Sequence, residues 1–85
     1  MKIKKNIAIS DSGFVFNPSS GESFTVNSIG IELFNYIKEE KPYEEIRDLV
    51  LDKYDTNEVA FDKDYQDFVA ILAYNHLLEN KDNEY

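Results

Sequence analysis

At Asn27 the hydrophobic spacing of this chain switches from a period of two to a period near 3.6, and that switch limits the fold more than any other feature. Upstream, short apolar runs are separated by Ser10-Asp11-Ser12-Gly13 and Asn17-Pro18-Ser19-Ser20-Gly21, both built of turn formers. The runs predict three strands in a meander. In the first, Ile3, Ile7 and Ile9 share one side while Lys4, Asn6 and Ala8 share the other. In the second, Phe14-Val15-Phe16, the two rings are expected on the core side. In the third, Phe24 and Val26 point inward while Ser23 and Thr25 face out. Each strand offers a few apolar groups to one face, and that face needs a cover.

The second pattern supplies it. Ile29, Leu33, Phe34 and Ile37 form one stripe of a helix capped by Asn27 or Ser28 and running to about Glu40. Pro42 ends it, because the residue before a proline is pushed out of the α region, and the same proline suits the start of the next helix. That second helix spans about Tyr43 to Tyr54, with Ile46, Leu49, Val50 and Tyr54 on its apolar side and Glu44 and Glu45 at the positive end of its dipole. The stretch from Asp55 to Phe61 reads as a polar connection in which Phe61 folds back as a plug. A third helix, capped by Asp62 or Asp64, is then expected to reach about Glu79. On it, Phe68, Ile71, Asn75 and Leu78 make one stripe, and Tyr65, Val69, Leu72 and His76 make a second. Together they exceed the stripe of about 100° that a surface helix of a small domain buries. The predicted class is α+β: a winged helix-turn-helix-like, three-stranded antiparallel sheet followed by three helices, one domain over residues 1–79 with a polar tail at 80–85.

Composition removes most chemistry. Nine Lys and Arg against 17 Asp and Glu give a net charge of −8, which disfavours nucleic acid and anionic membrane as partners. The charged residues expected on the third helix, Asp62, Lys63, Asp64, Asp67 and Glu79, sum to −3, the wrong sign for a recognition helix in DNA. With no cysteine there are no disulfides, thiolate nucleophiles or cysteine zinc sites. No apolar run has the length of a signal peptide core or a spanning segment, so a cytoplasmic location is expected. A single histidine and serines confined to turns or a helix start provide no nucleophile with a base in reach, and the chain does not read as an enzyme. His76 on the apolar arc reads as a neutral, groove-lining or hydrogen-bonded side chain. Asp62, Asp64 and Asp67 fall short of a calcium loop, which would need glycine where Asp67 stands and glutamate where Ala73 stands. Three glycines, Gly13, Gly21 and Gly30, make no phosphate loop. No catalytic residue, metal or cofactor is expected.

Two features outlast these exclusions, the surplus apolar arc and a sheet edge. A meander leaves its first and third strands as edges. The first carries Lys2, Lys4 and Lys5; the third, Glu22-Ser23-Phe24-Thr25-Val26, has neither lysine nor proline. An open edge beside an over-apolar helix is a groove for an extended peptide. The same features fit a small core in which the third helix is central and the third strand is protected by shortness. They also fit a structural or regulatory interaction domain that closes the groove as a homodimer or on a fixed protein partner.

Phe24-Thr25-Val26-Asn27-Ser28-Ile29-Gly30, followed by Leu33-Phe34 and Ile37, resembles the strand-to-helix "hydrophobic-Asn-x-x-Gly" signature of PqqD-like proteins. Asp64-Tyr65-Gln66-Asp67-Phe68-Val69-Ala70-Ile71-Leu72, with Leu77-Leu78 beyond it, is similar to that family's closing "D-x-x-x-F-L-x-x-L" helix and its terminal Leu-Leu. Two positions depart: His76 stands where glycine is common, and Pro42-Tyr43 stands where "G-x-x-[ST]" is usual. The resemblance implies a RiPP recognition element, a non-catalytic peptide chaperone that binds the leader of a ribosomally made precursor peptide. In that family the leader adds as a strand to strand three and lays apolar side chains on helix three, and the module delivers it to a modifying enzyme, often a radical S-adenosylmethionine protein. Carried over by position, Ser23, Phe24, Thr25 and Val26 would pair with the leader backbone. Tyr65, Val69, Leu72 and His76 would line the pocket, and Phe68 would belong to the core. The modifying enzyme would be a separate chain, and the recognition element a monomer or homodimer.

Overall fold

The computed structural model describes residues 2–79, so the expected polar tail at 80–85 lies outside the described residues. Three strands, β1 (Ala8–Ile9), β2 (Phe14–Asn17) and β3 (Glu22–Thr25), are followed by three helices, α1 (Ser28–Lys38), α2 (Tyr43–Lys53) and α3 (Glu58–Tyr74). The sheet is antiparallel in the order β1-β2-β3, with Ile9 opposite Val15 and Val15 opposite Phe24. The expected class and element order hold.

The first strand is shorter than its isoleucine alternation predicts. A turn at Lys5-Asn6, closed by the Ile7 N–H on the Lys4 carbonyl, breaks it, and the segment before the turn bridges instead to the end of the chain. Ile3 pairs with Leu78, the Lys4 N–H bonds the Leu77 carbonyl at 2.8 Å, and the Glu79 N–H bonds the Lys2 carbonyl at 2.8 Å. Ile3 and Ile7 are buried all the same.

The face of β2 is the reverse of the one expected. Val15 and Asn17 point inward, while Phe14 and Phe16 stay exposed. Gly13 fixes this register: it sits at φ +92, and a Cβ there would lie 2.3 Å from the Val26 carbonyl oxygen, so β2 enters the sheet where only glycine fits. The inward Asn17 is satisfied by the turn that follows, since its Oδ1 accepts from the Ser19 N–H and its carbonyl accepts from the Gly21 N–H.

Asn27 caps α1 as expected, its Oδ1 accepting from the Gly30 N–H at 2.8 Å. A Cβ on Gly30 would meet the Val26 Cβ at 2.8 Å, so glycine lets the first turn of α1 lie directly on the end of β3. α1 buries Leu33, Phe34 and Ile37; α2 buries Ile46 and Val50. Burial pushes the Glu32 carboxyl up. Hydrogen bonds from Lys53 (2.7 Å) and Tyr54, with a further one from Tyr36, outweigh that and hold it below its usual range, joining α1 to the end of α2.

α3 starts a full turn earlier than Asp62, at an Asn57 cap whose Oδ1 accepts from the Ala60 N–H at 2.8 Å. Phe61 is therefore part of the helix rather than a plug ahead of it. Its ring packs with Tyr43 and Tyr65, the latter pair edge to face at 4.9 Å between centroids. α3 also ends earlier than Glu79. Leu77 is buried from beyond the helix end.

Candidate functional site

Hydrogen-bond parity decides which backbone groups of the sheet are spare. The Ser10 N–H bonds the Phe14 carbonyl, so Phe14 and Phe16 point their backbone at β1; the Val26 N–H bonds the Gly13 carbonyl, so Gly13, Val15 and Asn17 point theirs at β3. On β3, Glu22 and Phe24 are then committed to β2, and Ser23 and Thr25 present N–H and C=O to the outer edge. The two edges are treated differently. β1 is two residues long, and the Lys38 ammonium reaches back to the carbonyls of Lys5 and Ile7. Among the described residues no backbone or side-chain group bonds the outward groups of Ser23 and Thr25.

Beside that edge lies an open cavity of about 320 Å³ between the end of β3, the first turns of α1 and one flank of α3. Val26, Ile29 and Leu33 form one side, with Thr25, Asn27 and Gly30 at the strand-to-helix corner. α3 contributes Phe68 and Ile71 together with Asp64 and Asp67. The Asn27 cap and Gly30 turn the chain sharply from β3 into α1, and the cavity lies in the corner between that turn and α3. A second hollow, lined by Tyr43, Glu58, Val59 and Asp62, has its tyrosine held by a 2.8 Å hydrogen bond to Asp62, which raises the Tyr43 hydroxyl above its usual range.

Of the residues named from sequence, Ser23 and Thr25 are exposed on the edge, and Phe24 and Val26 are half-buried with their side chains toward the helices. Of the four expected on helix three, none lines the cavity. Tyr65 and Leu72 are core, at 7% and 0% exposure, aligned with Phe61 and Phe68 in a single ordinary stripe. Val69 is half-buried on the flank away from the cavity, and His76 lies beyond the helix end at φ +60. The flank that faces β3 is instead Asp64, Asp67 and Ile71, with Phe68 at its inner border. The apolar arc is narrower than expected because α3 ends at Tyr74, so Asn75, His76 and Leu78 do not extend it. Tyr65 and Leu72 lie in the core stripe with Phe61 and Phe68, and Ile71, 45% exposed, is the apolar side chain of α3 that lines the cavity without being buried. The spacing Asp64, Asp67, Ile71 was the available signal.

The site has the character of a recognition groove. The cavity lining contains no histidine, cysteine, serine or lysine. Among the described residues no group of three or more His, Asp or Glu side chains is placed to hold a metal ion, and no helix is long and apolar enough to cross a membrane.

The family model of coenzyme PQQ synthesis protein D (PqqD) matches residues 13–78. No curated protein matches the chain. Among solved structures, that of TbiB1 in complex with the TbiA(beta) leader peptide superposes with a TM-score of 0.82 at 28% identity, covering 94% of this chain and 96% of that one.

Proposed function

We propose that this chain, which belongs to the PqqD family, is a non-catalytic peptide chaperone that recognises the leader of a ribosomally made precursor peptide. The leader pairs as a fourth strand with the outward groups of Ser23 and Thr25 and sets alternate side chains into the cavity between Val26 and Ile71. The observation that carries the reading is the coincidence of two vacancies, an unpaired strand edge and a largely apolar groove beside it. The likeness to TbiB1, whose structure contains a leader peptide, supports it. Phe24 and Val26 orient the edge, while Tyr65 and Leu72 act from the core by fixing how α3 stands.

The recognition domain spans residues 1–79 and works in the cytoplasm, where such precursors are synthesised. It hands the leader to a modifying enzyme on a separate chain, of the radical S-adenosylmethionine class or another that acts on peptides. Calorimetric titration with the leader of whichever short precursor peptide is encoded beside this chain, against a scrambled leader, tests the reading. Micromolar or tighter binding with a negative heat-capacity change is expected. Ile71→Asp, at an exposed position, is expected to leave the circular dichroism spectrum unchanged and weaken binding by at least about tenfold, because a charge would be desolvated against an apolar side chain. No heat with either peptide sinks the reading.

A further inference from the structure

The groove is apolar on its floor and anionic on its wall. Phe68 and Ile71 face Val26 and Leu33, and Asp64 and Asp67 stand one turn nearer the start of α3 on the same flank; none of the lining residues is cationic. Asp67 has a partner in Lys63 at 2.9 Å, but the two side chains are 63% and 76% exposed, and an ion pair so placed holds its partners weakly. Among the described residues Asp64 makes no ion pair. A wholly apolar segment laid in the groove would cover two carboxylates without replacing their water, which is unfavourable.

Resting on the reading above, we propose that the bound segment carries a Lys or Arg two positions from its apolar anchor, both on the face turned to α3, with the cation meeting Asp64 and Asp67. The spacing follows from the two repeats. Side chains on one face of a strand recur about every 6.8 Å, and a helix rises about 5.4 Å per turn, so a bound strand running along α3 with its anchor over Phe68 and Ile71 would bring its next inward side chain level with the carboxylates. Lys and Arg also have apolar stems that lie along the groove while their heads reach its rim. The net charge of −8 draws the same segment in from solution.

The test is a random twelve-residue peptide display library selected in parallel against the full chain and against the full chain carrying Asp64→Asn and Asp67→Asn, both at exposed positions outside the core. Expected is enrichment of Lys or Arg two positions from Leu, Ile, Phe or Tyr on the unsubstituted chain. On the double variant that enrichment disappears and the apolar preference stays. A selected peptide should bind the variant about tenfold more weakly at low salt, and the gap should close near 1 M salt, where the screening length is about 3 Å. Peptides that lose affinity with Ile71→Asp but show no basic enrichment, or the same enrichment on the variant, overturn the charge requirement and leave strand addition standing. Peptides indifferent to Ile71→Asp, or no binding peptides at all, overturn both.

Discussion

His76 sits at φ +60 just past α3, and Glu40 at φ +65 just past α1. In both places the chain closes the helix the same way. The Leu77 N–H returns to the Leu72 carbonyl at 2.9 Å and the His76 N–H to Ala73 at 3.1 Å, while Lys41 and Glu40 repeat the pattern on Tyr36 and Ile37. This is the left-handed helix terminus that glycine ordinarily occupies, since a Cβ there costs about 1–2 kcal/mol. Glycine suits this backbone, so the departure at His76 has a conformational reading independent of the pocket. His76→Gly is expected to stabilise the fold by about 0.5–1 kcal/mol, the strain relieved exceeding the entropy that glycine adds to the unfolded chain. Thermal denaturation would show the gain, and leader affinity should be unchanged. Loss of affinity with the fold intact would return His76 to the site.

At the scale of elements, the contrast between the two sheet edges carries the proposed function, and it was partly legible. The absence of lysine and proline from Glu22-Ser23-Phe24-Thr25-Val26 marked β3 as the unguarded edge, and alternation placed Phe24 and Val26 inward correctly. Alternation misplaced Phe14 and Phe16, because two rings in three residues outweigh one valine in any hydrophobic pattern, whereas the register is set by the backbone of Gly13. The helix-three residues expected in the site do not coincide with the cavity lining. An asparagine cap four residues ahead of Phe61 is a weak signal beside three aspartates, and a helix continued to Glu79 gives Asn75, His76 and Leu78 faces on a helix that in fact ends at Tyr74. A proline scan separates the two sets of β3 amides. Ser23→Pro removes an N–H that faces outward, so it should cost little stability and abolish strand addition. Phe24→Pro removes an N–H committed to Val15 and should unfold or strongly destabilise the domain. Retained leader binding by a folded Ser23→Pro protein would exclude backbone pairing at this edge.

For the molecule as a whole, the ends of the described chain are tied together: Ile3 bridges Leu78, and Lys2 and Lys4 exchange hydrogen bonds with Glu79 and Leu77. That closure is long in sequence, and the core it completes is small. A chain of 85 residues leaves a large share of its apolar surface in contact with solvent, here including Phe14, Phe16, Ile71 and Val59. Such a fold has little stability in reserve, and a ligand that binds only the native state changes that markedly. At a free leader concentration one hundred times Kd the added stability is about 2.7 kcal/mol. For a domain of this length each kcal/mol moves Tm by about 4–8 °C, so the leader should raise Tm by more than about 10 °C, while a scrambled leader leaves it unchanged. The competing use of the groove, self-association, makes a different demand: Tm would then climb with the concentration of the protein alone, and added leader would have to compete for an occupied edge. Thermal scans across protein concentration, with and without leader, therefore distinguish an edge kept open for a peptide from one already closed by a second copy.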